Sequence, residues 1–520
     1  MMNRDEMIQR IKDEGMMWDF IIIGGGATGM GIAVDAAARG YRPLLLEQSD
    51  LGKGTSSRST KLVHGGVRYL QQGNVSLVLE ALKERGLLRQ NAPHLVHDLP
   101  FIVPSYDWWE SPFYGIGLRV YDMLAGKLGF GDSIHLSKEE TIERLPTIET
   151  EGLRGGTVYH DGQFDDARLV VNLCQTAVEQ GATVLNYVGV KDLIKKSGIL
   201  RGVVAEDAET GDSYRLWGKA VINATGVFTD TIRRVDDTAC APMIQPSRGV
   251  HIILDRSFMP GDTAIMVPHT DDGRVLFAIP WHDSVIVGTT DTPVDGTPLE
   301  PRADEEEIDF LLSHTARYLT RDPAREDVLS VFAGLRPLVS LSKGEENTAA
   351  ISRDHTLSLS RSGLLTIAGG KWTTYRKMAE DTIDHAEVIA GFDPRPCVTR
   401  NLNVHGHHHH AEKYGSLEVY GSDAPLVEQV IGEDPTFGNV LPGSAEVRAG
   451  QVVWSVRNEM ARTVEDFLAR RTRLLILDAR SSVEAAPMVA ELMAKELGRE
   501  SGWVSEQIQE YTELASTYLP

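Results

Sequence analysis

Cysteine is scarce in this chain. Cys174, Cys240 and Cys397 are the only three in 520 residues and share no CxxC spacing, which excludes a disulfide framework or a cysteine metal site and suits a reducing compartment. Long apolar runs are missing too. No stretch approaches the roughly 18 apolar residues of a membrane-spanning helix, and the charged opening MMNRDEMIQRIKDEGMMWD lacks a secretory core. The expectation is a cytoplasmic protein, or one that sits on a membrane without crossing it. Basic residues are in deficit, 52 Lys plus Arg against 74 Asp plus Glu, a net charge of −22. That disfavours nucleic-acid binding, so an anionic ligand must find a local basic pocket. No repeat of solenoid type is present, and the one low-complexity feature is His407 to His410.

What is present is enough apolar residue, 42%, for about three structural units. Phe20 to Ile23 is a β-rich run that ends at Gly24 and leads through GGGATG into the small-residue stretch MGIAVDAAARG. RPLLLE follows, ending at Glu47. This is strand, tight turn, helix, strand: a Rossmann-like βαβ unit. Gly24, Gly26 and Gly29 stand in G-x-G-x-x-G spacing around Ala27 and Thr28, where missing side chains let a pyrophosphate approach a helix N-terminus. Glu47 is placed to accept ribose hydroxyls and to repel a 2′-phosphate, which disfavours NADP. At this point FAD and NAD remain open.

Two further strand-and-turn segments, Lys219 to Asp230 and Gly363 to Asp381, suggest one nucleotide domain visited three times. Between them the runs from His251 to Asp291 have the short spacing of an antiparallel sheet, read as a substrate domain. Beyond about Pro394 apolar residues recur at helical intervals, which predicts a separate C-terminal helical domain.

GTSSRSTKLVHGGVRYL, residues 54 to 70, clusters hydroxyls, a lysine and paired glycines after the βαβ unit, groups suited to a phosphate and a flavin edge. Taken with NATG at 223, GTTDTP at 288, GLRPL at 334, SRDH at 352 and GGKWTTYRKMAED at 369, the chain closely resembles the FAD-dependent glycerol-3-phosphate dehydrogenases. The resemblance runs in order from about residue 19 to 390. It implies an α/β fold with a glutathione-reductase-type FAD-binding Rossmann-like domain (19–90, 151–245 and 331–393), an antiparallel substrate-binding sheet (91–150 and 246–330) and a helical terminus (394–520). It also implies oxidation of sn-glycerol 3-phosphate to dihydroxyacetone phosphate with electrons passed to quinone. Peripheral contact with the inner face of the cell membrane and a homodimer are compatible with it.

For FAD, the resemblance points to the glycine turn and Glu47, to Thr55, Ser56, Ser57, Thr60, Lys61 and His64, to Val190, Ala224 and Gly226, and to Gly370, Lys371 and Thr373. Oxidising a secondary alcohol needs a hydride acceptor, a base and a site for the charged handle. Guanidinium forks suit the phosphate, and Arg336 and Arg353 lie in motifs that resemble the family's substrate arginines; Arg68, Tyr69, Thr374 and Tyr375 match further pocket positions. His251 is the expected base, with His64 near the flavin, because an imidazole accepts a proton at neutral pH. Lys371 is placed to stabilise anionic substrate or reduced flavin.

An oxygen-using glycerol-3-phosphate oxidase shares this scaffold; the 15 residues between Pro337 and Arg353 leave no room for the large insertion associated with it. An amine or amino-acid oxidase would want a carboxylate clamp instead, and a nonenzymatic flavin sensor is the reading from another class. Asp304 to Glu307 reads as a solvated helix start, and HGHHHH (405 to 410) as no functional metal site. Asp107 to Gly131, with Trp108, Trp109, Phe113, Tyr114, Tyr121 and Met123, is amphipathic enough either to face a membrane or to pack on the substrate domain.

Overall fold

The computed structural model describes residues 2–13, 15–66, 74–107, 110–126, 129–268, 270–271, 273–339 and 355–520, the side chains of 110–116 aside. Its first sheet is built on the strand Met17–Ile23, which pairs in parallel with Ser213–Asn223 on one side and Pro43–Leu46 on the other. Leu364–Gly369 and Thr183–Leu185 extend the parallel array, and His355–Leu359 closes one edge antiparallel. Phe20 to Ile22, Leu44, Leu45 and Ile222 are fully buried, as strands covered on both faces must be. The helices Ala27–Ala38 and Tyr375–Ala390 pack against each other beside this sheet. Their approach depends on Gly31, where a Cβ would lie 2.9 Å from the Tyr375 ring, while Gly29 lets the first helix start tight against the strand end, a Cβ there lying only 1.9 Å from the Gly24 carbonyl oxygen.

The second sheet centres on two long strands, Ile244–Asp255 and Val328–Val339, paired antiparallel. Ser284–Gly288, Leu276–Trp281, Ala264–Val267, Val96–Ser105, Gly155–Phe164 and Leu62–Val63 continue it. All these pairings are antiparallel except that of Ala264 and Ile265 with Phe101 and Ile102. The boundaries expected from sequence therefore move: Leu62–Val63, Gly155–Phe164 and Val328–Val339 belong to the second sheet, not to the nucleotide unit. Each is a β-rich run, and composition alone does not say which sheet a strand will join.

The C-terminal helices form the expected helical domain, with an apolar cluster of their own around Tyr420, Val427 and Trp454, and it is packed tightly on the rest of the chain. Val452, Phe467, Leu468, Val489 and Met493 share one apolar core with Ile253, Ile279, Trp281 and Phe332 of the second sheet. Buried ion pairs fasten the same helices to the first unit, Arg168 with Glu459 at 2.5 Å and Asp50 with Arg470 and Arg471 at 2.5 and 2.7 Å. Near the chain end, the Val331 N–H donates to the Tyr518 carbonyl at 2.7 Å.

The histidine tract is anchored at this junction. The His405 imidazole lies 2.6 Å from both Glu179 and Asp423; burial opposes its charge, but the two carboxylates outweigh burial and lift its pKa to about 9. An unfolded histidine titrates near 6.5, so this contribution is complete below about pH 6.5 and is lost as pH rises through about 9. Hydrogen exchange around residues 404–411, corrected for intrinsic rate, should accelerate across that window, and His405→Gln should abolish the pH step.

Two other segments differ from expectation or divide. Glu307 is buried, not solvated: its carboxylate accepts the hydroxyls of Thr290 and Thr292 and pairs with Arg248. The helix Glu110–Ala125 buries Leu118 and Tyr121, Tyr121 packing with Val78 and Leu82, yet turns Val120 and Met123 outward, Met123 being 77% exposed. Trp108 and Trp109 lie outside the described residues, as do the side chains of Phe113 and Tyr114. Among the described residues no helix is long and apolar enough to cross a membrane.

Candidate active site

A cavity of about 540 Å³ lies where the two sheets meet. The first sheet supplies the C-terminal ends of its parallel strands: Gly24, Gly26, Ala27, Thr28 and Glu47 from the first βαβ unit, Ala224 and Gly226 from the next strand end, and Gly370, Lys371 and Thr373 from the third. Val190, Thr55, Ser56, Thr60 and His64 complete that side, and His251 and Arg336 enter from the second sheet. Strand ends at such a junction are where open α/β sheets bind ligands.

The cradle is pre-shaped. The Glu47 carboxylate accepts the N–H of Gly25 at 2.6 Å and of Ser49 at 2.9 Å; burial raises its pKa against the pull of those donors. Gly24 holds a left-handed φ of 109° beside the Ala224 carbonyl, a position closed to a side chain. The Ser56 hydroxyl accepts the Ala27 N–H at 2.9 Å, and Ser56 also receives the Trp372 indole N–H on its carbonyl. The hydroxyl-rich loop is thereby fastened to both the glycine turn and the 370 turn.

On the second sheet the Arg336 guanidinium is held by its own neighbours. Its Nη2 donates to the Thr289 hydroxyl at 3.1 Å and the Thr290 carbonyl at 3.0 Å, and its Nη1 reaches Asp291 at 3.3 Å. Gly249 opposite makes room, since a Cβ there would lie 2.4 Å from Nη2. His251 is 2% exposed and stacks on Phe332 at 4.7 Å, with ring planes 8° apart. Its Nε2 lies 2.9 Å from the Thr60 hydroxyl. Burial, then the positive charges of Arg336 and Lys61, hold its pKa well below the ordinary value, so the ring is neutral and any proton it takes is held weakly.

Several expected contacts fall elsewhere. Lys61 is fully buried, with its Nζ 2.7 Å from both the Ser57 carbonyl and Asp166, so Lys61 and Ser57 brace the loop and do not line the cavity. Gly29 does not line the cavity and instead lets its helix close on the Gly24 carbonyl and Leu45. The Thr374 hydroxyl donates to the Lys371 carbonyl, and Tyr375 lies beneath Gly31 against the first sheet's helix. Neither lines the cavity, because a helix that starts right after the turn carries them away from it. Arg68, Tyr69 and Arg353 lie outside the described residues.

Other lining residues were not singled out from sequence: Thr289, Thr290 and Asp291, which hold Arg336, and Phe101, Tyr159, Asp161, Met266 and Phe277. The first three sit in the quoted GTTDTP, where a polar turn closing an apolar strand was the available signal. For the others, alternation in a buried strand gave none. Among the described residues no group of His, Cys, Asp and Glu could hold a metal ion.

Comparison with known proteins settles the family. Residues 19–376 match the FAD dependent oxidoreductase model, and 361–504 match the C-terminal domain of alpha-glycerophosphate oxidase. The mitochondrial glycerol-3-phosphate dehydrogenase of Schizosaccharomyces pombe is 38% identical over 98% of this chain and 88% of its own length; the human one is 41% identical over 96% and 73%. The chain belongs to the FAD-dependent glycerol-3-phosphate dehydrogenases. The crystal structure of the Bacillus halodurans glycerol-3-phosphate dehydrogenase complexed with FAD is similar, with a TM-score of 0.81 at 30% identity over 99% of this chain and 98% of that one. The Mycoplasma pneumoniae L-alpha-glycerophosphate oxidase, at 15% identity and a TM-score of 0.58 over 74% and 98%, shares the fold.

FAD is the family's cofactor, and the residues present fit it. The cradle between Gly24 and Thr28 at a helix N-terminus would hold the pyrophosphate and Glu47 the ribose. Thr55, Ser56, Gly370 and Lys371 would border the flavin end.

Proposed function

We propose that this enzyme oxidises the C2 hydroxyl of sn-glycerol 3-phosphate to dihydroxyacetone phosphate, with a quinone as final electron acceptor. The observation that carries this reading is the pairing, in one cavity wall, of a guanidinium fixed by Thr289, Thr290 and Asp291 with a buried neutral imidazole at His251. Arg336 binds the phosphate and thereby orients C2; Arg353 joins it by family resemblance. His251 takes the hydroxyl proton as the carbonyl forms, and the cation at Arg336 favours its release again. FAD, when bound, supplies the hydride acceptor. We place the protein peripherally on the cytoplasmic side of a membrane, a reading supported by the outward Val120 and Met123 and by Val75 and Leu79, which are exposed on the neighbouring helix Val75–Asn91.

An anaerobic visible spectrum tests the function. Glycerol 3-phosphate should bleach the flavin band at about 450 nm, and a soluble quinone should restore it faster than oxygen does. His251→Gln should keep the band and bleach about 10²-fold more slowly. A flavin spectrum unchanged by glycerol 3-phosphate would refute the substrate, and faster recovery with oxygen would assign an oxidase.

A further inference from the structure

The segment His64–Gly66 carries cavity-lining residues at both ends yet belongs to no regular element. It is clamped from two sides. On one, the His64 N–H donates to the Thr373 hydroxyl at 3.2 Å, and that hydroxyl lies 3.4 Å from the His64 carbonyl, joining the segment to the 370 turn. On the other, the Gly65 N–H donates at 2.8 Å to the Tyr121 hydroxyl, which reaches in from the helix Glu110–Ala125. The fit is close: a Cβ on Gly65 would lie 2.5 Å from the Tyr121 oxygen and 2.6 Å from Leu82.

The Tyr121 hydroxyl is itself held. It donates at 2.9 Å to Asp161, whose other oxygen receives Arg85 at 2.5 Å. Arg85 lies over the rings of Tyr121 and Phe130, 5.8 and 4.5 Å from their centroids. Tyr121, Asp161 and Arg85 are all at most 3% exposed. With its proton committed to the Asp161 carboxylate, the phenol has a lone pair left for the Gly65 N–H. A side chain that accepts from the loop and donates to the acid is needed here, and phenylalanine supplies the shape without either bond.

We propose that Tyr121, oriented by Asp161 and Arg85, is a positioning residue that holds the His64–Gly66 segment in register with the reacting end of the cavity. It touches neither substrate nor cofactor and acts through the Gly65 backbone. The proposal rests on the reading of this cavity as the flavin and substrate site, and predicts a specific split: loss of the hydroxyl slows the chemical step while phosphate binding at Arg336, which Thr289, Thr290 and Asp291 hold without help from Gly65, is left intact.

Tyr121→Phe tests it in two ways. In purified holoenzyme and in apoprotein, hydrogen exchange at the Gly65 amide should rise at least about 10-fold. In anaerobic stopped flow, normalised to bound flavin, the limiting reduction rate should fall about 10-fold while the apparent Kd for glycerol 3-phosphate changes less than about twofold. Arg85→Lys, which keeps the charge and loosens Asp161, should produce the same split at smaller size, and serves if the first variant does not fold. Unchanged Gly65 exchange and limiting rate in a folded variant would overturn the proposal, as would a parallel loss of rate, affinity and flavin content, which marks a merely structural role. A wild-type flavin that glycerol 3-phosphate fails to bleach would instead sink the substrate reading, with the Gly65 exchange result still standing.

Discussion

Arg336→Ala should lower kcat/KM for glycerol 3-phosphate by about 10²–10³-fold. Hydrogen bonds to charged groups contribute about 1.5–3 kcal/mol each, and a guanidinium makes two to a phosphate; the pair is worth about 3–6 kcal/mol, and water that enters the space left by the side chain recovers part of it, which leaves a loss of about two to three powers of ten. Most of the loss should appear in KM. A smaller part should appear in kcat, because the phosphate contact also orients C2 beside His251. The effect depends on Arg336 being in place beforehand: Thr289, Thr290 and Asp291 hold the fork. Arg336→Lys keeps the charge but not the fork, and should recover only part of the loss. Steady-state kinetics with a soluble acceptor reads both variants, and inhibition by inorganic phosphate should weaken in step with KM. An alanine variant with unchanged kinetics would move the phosphate to another side of the cavity.

The second large effect is on stability. Asp50 is fully buried and holds both Arg470 and Arg471, tying the first βαβ unit to the C-terminal helices. Although burial disfavours its charge, the two guanidinium groups hold its carboxyl below the usual range. Asp50→Asn removes the carboxylate the two cations share, leaving Arg470 to Glu465 and Asp466 and Arg471 with only the more distant Glu459 at 3.7 Å, and breaking such a buried pair costs up to about 3–5 kcal/mol. The denaturation midpoint should fall accordingly, and limited proteolysis should begin to cut near the junction. The wild-type contribution is complete above the unfolded aspartate pKa of about 3.9 and is lost as pH falls below it. The gap between wild type and variant should therefore narrow in acid.

The glycine turn was legible because three residues of one type, between a strand and a helix, have few other uses. The three strand ends at 24, 224 and 370 were legible because parallel strands buried on both faces read as unbroken apolar runs. Arg336 and His251 were found through their motifs, but what surrounds them was not. The network of Tyr121, Asp161 and Arg85 joins residues 40 to 76 positions apart through side chains that are individually unremarkable in sequence. Lys61 and Glu307 failed for the opposite reason: a charged residue reads as solvated or ligand-facing until its buried partner is seen, here Asp166 for one and Arg248 for the other. The helical periodicity after Pro394 was real. It said nothing of what the apolar faces would cover, and they cover the second sheet.

The order of strands in the first sheet also bears on how the protein is made. Met17–Ile23 sits between partners drawn from early and late in the chain, and the cradle begun by Gly24 is finished only by Gly370 to Thr373. About 350 residues separate the two. At a synthesis rate of roughly 5–20 residues per second, the first motif waits on the order of 20–70 s for its complement to leave the ribosome. During that time Leu364–Gly369 has not yet covered one edge of Ser213–Asn223, and an uncovered parallel strand is a site for wrong pairing. Nascent chains halted before about residue 370 should therefore carry the glycine motif, retain no flavin and depend on chaperones, whereas chains released after that point can close around it.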